Sequence, residues 1–248
     1  MKNFKVAVAQ ISSLRGDIDS NIKTHINATI KAGKQEVSLL VFPELSLSGY
    51  ELDLGKSLAF TTNDIRLEPL KQVSKKSGVH IVVGAPLVSE PLPKLGMISI
   101  SPKGDILTYD KMYLHGEEER KYFSAGESVQ ILEIEEQRVA LAICADTVEP
   151  RHIEACYKEK ADIYIAGVLL SKDGYKEDAK IFEKNAKKYN MLVAISNYNQ
   201  ATGGWIPAGK SAIWSPSEKI GAADEVQNAL VVAEQSADGW LSKIIELN

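Results

Sequence analysis

The sequence predicts an α/β fold with mixed parallel and antiparallel strands, and three observations carry that prediction. Short apolar runs rich in β-branched residues recur along the chain. Amphipathic helical patterns separate several of them, as parallel crossovers require, and other connections are too short to hold a helix and so require antiparallel pairing.

Phe4–Ala9 reads as a strand, and Ser20–Ala32 follows as a helix with Ile22, Ile26 and Ile30 on one face. Ser38–Phe42 is a second strand. Leu45–Asn63 has no pattern, and a stretch of that length within a compact domain is more often a functional loop than a boundary. The helix Ile65–Lys76 leads to the strand Val79–Gly84. Met97–Ile100 is joined to another short strand by the turn Ser101-Pro-Lys-Gly104, and Val129–Ile134 to Arg138–Ile143 by Glu135–Gln137. The helix Pro150–Lys160, the strand Ile163–Val168 and the helix Asp173–Tyr189 come next, the last with Tyr175, Ala179, Phe182 and Ala186 on one face. Met191–Ser196, Ser211–Trp214 and Ala229–Ala233 complete the strands. With 44% hydrophobic residues, no repeat and no linker, residues 1–248 read as one domain.

Charge and composition exclude several function classes. The 29 basic and 33 acidic residues are dispersed, with no basic block to neutralise phosphates, so nucleic acid is not an expected partner. No apolar run is long enough for a membrane span, and Met1–Gln10 lacks a signal-peptide core, so a cytoplasmic protein is expected. His25, His80, His115 and His152 lack metal-ligand spacing, and Gly203-Gly204 is not followed by the residues of a phosphate loop. Neither a metal nor a nucleotide is expected. The two cysteines, Cys144 and Cys156, are too few for a disulfide framework and too far apart for a CxxC site.

Three positions have chemical promise. Cys144 ends an apolar run at a strand-to-helix turn, with Asp146 or Thr147 as N-cap candidates and Pro150 near the first turn. Backbone N–H groups and the helix dipole there would favour a thiolate and an oxyanion, although a lone cysteine at a strand end is also simply a small hydrophobe. Glu44 follows another strand and Pro43; apolar walls would raise its pKa and make it a proton acceptor, against the alternative of a surface glutamate. Lys111 follows the strand after the Pro-Lys-Gly turn; semi-buried, it would hold an oxyanion, whereas most lysines are solvated. Tyr50, after the Glu44 loop, and Trp205, in Thr202-Gly-Gly-Trp205, are pocket candidates. Glu117-Glu-Glu-Arg120 by itself reads as a charged helix face or turn.

Together these segments resemble the nitrilase superfamily of carbon–nitrogen hydrolases, in that family's order. The landmarks are FPELSLSGY at Phe42–Tyr50, YDKMYL at Tyr109–Leu114 and ICAD at Ile143–Asp146, with VAVAQ at Val6–Gln10, ERKYFSAGE at Glu119–Glu127 and GKSAIWSP at Gly209–Pro216. The resemblance implies a four-layer α-β-β-α sandwich of two mixed β-sheets, assembled as a homodimer or higher homo-oligomer. It implies that Glu44 is the general base, Lys111 the oxyanion-stabilising cation and Cys144 a nucleophile that forms a thioester, with no cofactor. The Ala145 N–H is the expected second oxyanion donor. Counting forward from Lys111 leaves Glu118 and Glu119 both open as an additional glutamate, while counting back from Phe123 and Gly126 selects Glu119.

The implied substrate is a small amide, ω-amide or N-carbamoyl compound. A small nitrile is the runner-up, and a non-catalytic binding or scaffold protein is the alternative outside enzymology. Substrate identity is not inherited, because Ala145-Asp146 and Val148-Glu-Pro-Arg151 stand where many relatives carry aromatic residues around the cysteine.

Overall fold

The computed structural model describes residues 3–247. In chain order its elements are β1 (Lys5–Gln10), α1 (Ile18–Lys34), β2 (Leu39–Val41), α2 (Gly55–Leu58), α3 (Glu68–Ser77), β3 (His80–Leu87), β4 (Lys94–Ile100), β5 (Ile106–Asp110) and α4 (Gly116–Tyr122). There follow β6 (Ile131–Ile134), β7 (Gln137–Ile143), α5 (Pro150–Lys158), β8 (Ile163–Val168), α6 (Tyr175–Tyr189), β9 (Leu192–Asn197), β10 (Ala212–Trp214), β11 (Lys219–Ala222), β12 (Ala229–Ser236) and β13 (Gly239–Glu246). None of the described helices is long and apolar enough to cross a membrane.

One sheet has the order β13-β12-β1-β2-β3-β4-β5 and the other β11-β10-β9-β8-β7-β6. In the first, β1, β2 and β3 run parallel; in the second, β7, β8 and β9 do, and every other pair is antiparallel. The parallel centres are where helices α1, α3, α5 and α6 provide the crossovers, and the antiparallel flanks are where short turns suffice.

Side-chain alternation then fixes the layers. Val6 and Val8 of β1 join Val139, Leu141 and Ile143 of β7 in the core between the sheets. Ala7 and Ala9 face α1 and α3, while Ala140 and Ala142 face α5 and α6. The small alanines let helices pack closely on each outer face. The result is the four-layer α-β-β-α sandwich.

Three differences from the sequence reading have physical causes. Ile30 is exposed, and the buried face of α1 instead carries Asn21, His25 and Thr29, which periodicity counts as polar. They are buried because they bond inward: Asn21 Nδ2 donates to Leu47 O at 2.9 Å and His25 Nε2 lies 2.9 Å from Ser46 Oγ. The patternless stretch Leu45–Asn63 holds a 3₁₀ turn at Leu52–Leu54 and the short α2, and its first part, Leu45–Tyr50, is wholly buried. Strands β11 and β13 gave no signal because they lie at sheet edges with largely exposed or half-buried side chains.

Two glycines let the chain after β2 thread between the sheets. A Cβ on Gly84 of β3 would lie 2.3 Å from Leu45 N and 2.4 Å from Pro43 O; one on Gly167 of β8 would lie 2.5 Å from Phe42 O. Glu44 is thus held by backbone on both sides. Gly84→Ala is expected to cost about 1–3 kcal/mol of stability through overpacking. Urea unfolding of the variant against the parent measures it, and an unchanged midpoint would show that the contact is not tight.

Candidate active site

Glu44, Lys111 and Cys144 each stand just past the carboxyl end of a strand, β2, β5 and β7 respectively. The Glu44 backbone is anchored by Tyr198, whose hydroxyl donates to Glu44 O at 2.7 Å. Lys111 N donates to Leu95 O at 2.8 Å, and Lys111 O accepts from Gly126 N at 2.7 Å, so the lysine cannot swing away from the sheet. Strict alternation after Ile143 would aim Cys144 at the helix layer. Its φ of 42° breaks the alternation, and its side chain contacts both the inter-sheet and the outer core.

The side chains converge on one buried cluster. Lys111 Nζ donates to Glu44 Oε1 at 2.6 Å and to Glu119 Oε1 at 2.8 Å. Glu119 also accepts from the Tyr50 hydroxyl at 2.6 Å and, through Oε2, from His115 N at 2.6 Å. Glu44, Lys111 and Glu119 are each at most 1% exposed. Glu44 Oε2 is buried with no hydrogen-bond partner among the described residues. Glu117 and Glu118, by contrast, are exposed and pair with Arg120 and Lys121. The acidic run is therefore a helix, α4, with one face turned into the cluster.

Burial sets the proton inventory. It pushes the Glu44 carboxyl up to about 7, with Lys111 pulling the other way and Glu119 adding to the rise. For Lys111, burial disfavours the charge, but Glu44, Cys144 and Glu119 together outweigh it and leave the pKa above the ordinary lysine value. Burial first, then Glu44, raises the Cys144 thiol well above its usual range, and Lys111 only partly opposes them. The thiolate expected at a helix start is thus not the resting form. A 3₁₀ turn, Cys144–Val148, separates the sulfur from α5, whose N-cap is Glu149 rather than Asp146 or Thr147. The thiol must hand its proton to a partner as it attacks.

Behind the cysteine lies a polar network that the sequence reading missed. Asp146 Oδ2 accepts from Ile143 N at 2.9 Å and from the Tyr109 hydroxyl at 2.7 Å, and Oδ1 accepts from Tyr113 N at 2.9 Å. This buried carboxylate ties the Cys144 turn to the chain on both sides of Lys111. His152 Nε2 lies 2.8 Å from the Tyr109 hydroxyl oxygen and Nδ1 lies 2.9 Å from that of Tyr164. Burial lowers the His152 pKa, and a neutral ring with its hydrogen on Nε2 satisfies all three partners. The nearest sequence signal was the position of Tyr109 and Asp146 beside Lys111 and Cys144; nothing in spacing connects them to His152 or Tyr164.

Cys144 opens on a cavity of about 280 Å³ whose lining includes Tyr50, His115, Ala145, Leu169, Asp178 and Trp205. Tyr50 is buried, while Trp205 is half exposed. The loop carrying Trp205 is fastened to the Tyr50 segment by Thr202, whose Oγ1 accepts from Tyr50 N at 2.9 Å. Cys156 is buried within α5, away from this cavity's lining.

A model of the carbon–nitrogen hydrolase family matches residues 5–238. The chain belongs to that family. It is 28% identical over 212 residues to the glutamine-dependent NAD(+) synthetase of Thermotoga maritima, a match covering 82% of this chain and 36% of that enzyme. The chain therefore spans about a third of that relative's length. It is 32% identical over 153 residues to the 2-oxoglutaramate amidase of Bacillus subtilis, covering 60% of this chain and 59% of that one. In fold it is similar to the amidase from Nesterenkonia sp. AN1, solved as a cysteine-to-alanine mutant in complex with butyramide. The TM-score is 0.87 at 21% identity, over 96% of this chain and 92% of that one.

The cluster separates the adjacent glutamates of α4. Glu119→Gln exchanges a buried anion that accepts from Lys111, Tyr50 and His115, and turnover of a small amide is expected to fall about 10- to 100-fold, the scale of a hydrogen bond to a charged group. Glu118→Gln, at the surface, should change turnover by less than about twofold. Parallel ammonia-release assays on folded variants check this; equal effects would dissolve the distinction.

Proposed function

We propose that the protein hydrolyses the carbon–nitrogen bond of a small amide, or of an N-carbamoyl compound, through a thioester on Cys144. The observation that carries this reading is the unpartnered Glu44 Oε2, buried in a charge-balanced cluster beside a cysteine held in its thiol form. A thiol that is not already ionised needs a base, and a carboxylate poised near neutrality is one.

In this reading the Cys144 sulfur attacks the amide carbon while Glu44 takes the thiol proton. The carbonyl oxygen becomes an anion held by Lys111 Nζ and the Ala145 N–H. Collapse of the tetrahedral adduct breaks the carbon–nitrogen bond, and Glu44 returns the proton to the departing amine. Glu44 then takes a proton from water, whose oxygen attacks the thioester; collapse expels the sulfur, which recovers the proton and leaves a carboxylic acid. Glu119 holds Lys111 charged and in place throughout. The amidase from Nesterenkonia sp. AN1, which shows covalent addition of the acetamide moiety of fluoroacetamide at its active-site cysteine, supports the analogy. The printed activity of the Bacillus relative is of the same class.

Two outcomes are expected. Because Glu44 accepts a proton only when ionised and its carboxyl titrates at about 7, kcat/KM should rise with pH through neutrality and level off above it. A profile flat across neutrality removes Glu44 as the base. Fluoroacetamide should add mass to Cys144 and spare the buried Cys156, and Lys111→Ala should lower kcat by about 10²–10³, the usual loss for one oxyanion donor. Mass mapped to Cys156, or near-native turnover in a folded Lys111→Ala variant, would falsify the assignment.

A further inference from the structure

The cavity wall carries one carboxylate that the hydrolytic scheme does not use. Asp178, on the first turn of α6, lines the cavity with Cys144. Its environment is half-buried, and burial raises its carboxyl pKa; His115 opposes the rise and Glu177 adds to it, with no hydrogen bond from any described residue. A half-buried carboxylate without a donor is an unmet acceptor.

The cations that could have paired with it are engaged elsewhere. Lys172 lies 3.4 Å from Glu225 and Lys210 lies 2.9 Å from the same side chain. On the cavity lining, apart from Asp178 and the titratable His115, the groups are neutral or belong to the Cys144 end. The adjoining cleft shares Tyr50, His115 and Trp205 with this cavity and adds Glu117 and Glu118, so the approach is acidic too. Trp205, half exposed, offers a ring face of the kind that attracts ammonium groups. Between the sulfur and this end, Ala145, Val148, Leu169 and Leu170 make an apolar wall suited to methylenes. Ala145 has no side chain long enough to block it.

We propose that Asp178 sets specificity, making the cavity a site for amides whose far end carries an ammonium group a few methylenes from the carbonyl. The inference rests on the amide-hydrolase reading above. The ammonium supplies the donors Asp178 lacks, the methylenes cover the apolar wall, and the amide carbon reaches Cys144. A substrate ending in a carboxylate meets Asp178 as a like charge.

The test uses three amides of matched length: 4-aminobutanamide, butanamide and succinamate. Turnover by the parent and by Asp178→Asn is measured by ammonia release, and binding to Cys144→Ala by calorimetry. The parent should prefer 4-aminobutanamide to butanamide by roughly 10- to 100-fold in kcat/KM, mainly through KM, with succinamate poorest. Asp178→Asn should compress that ratio at least about tenfold, a change in ratio that a general loss of structure does not produce. Turnover of all three without discrimination, or a ratio unchanged in Asp178→Asn, overturns the inference while leaving the hydrolase reading intact. Charge-selective binding to Cys144→Ala with no turnover of any amide by the parent overturns the hydrolase reading and supports the cationic subsite.

Discussion

Lys111, fully enclosed between two glutamates, is the constraint on which the rest of the structure depends. An ammonium group taken out of water costs several kcal/mol unless anions and hydrogen-bond acceptors replace the solvent. Glu44 and Glu119 do so at 2.6 and 2.8 Å. Each glutamate must therefore arrive from its own segment: Glu44 from the end of β2, clamped between Gly84 and Gly167, and Glu119 from α4, capped by His115 N and Tyr50. Removing any one partner leaves an uncompensated charge in the core, so the cluster is an organiser of loops as much as a chemical centre.

The same burial divides proton affinities in a useful way. Desolvation raises both Glu44 and Cys144, but the carboxyl stops near neutrality because Lys111 favours its anion, while the thiol stays well above its usual range. A base that can be ionised beside a nucleophile that is not ionised is a proton-transfer pair. Asp146 and the Tyr109–His152–Tyr164 network hold the geometry from behind. They fasten the Cys144 turn to the segment that carries Lys111, so the sulfur and the cation keep their mutual position if either strand end moves.

The mouth of the cavity shows a division of labour. The deep cluster is built from charges already paired with one another, and so contributes little selectivity for the far end of a ligand. Asp178, Trp205 and the apolar wall around Ala145 lie on separate elements with few contacts to the cluster, where substitutions alter the pocket without disturbing Lys111. Such a separation explains physically how a chain can share a fold with the amidase from Nesterenkonia sp. AN1 at only 21% identity.

The α/β class and the main strands were legible in the chain because β-branched runs and helical stripes report directly on burial periodicity. Glu44, Lys111 and Cys144 were legible as a set through ordered motifs, and counting back from Phe123 singled out Glu119. What periodicity misread has a common cause: polar residues buried by specific partners, as with Asn21 and His25 on α1, and edge strands exposed to solvent, as with β11 and β13. Only the tertiary structure decided that Cys144 rests as a thiol, since that depends on burial and on charges from four segments rather than on a local helix start. It alone brought Asp146 to Tyr109 and Tyr113, and set Asp178 facing the cavity from α6, because distances between residues far apart in sequence are fixed by sheet order and packing. The sequence determined which groups were present and the local segments that carry them; the fold determined which of them share a proton, a charge or a wall.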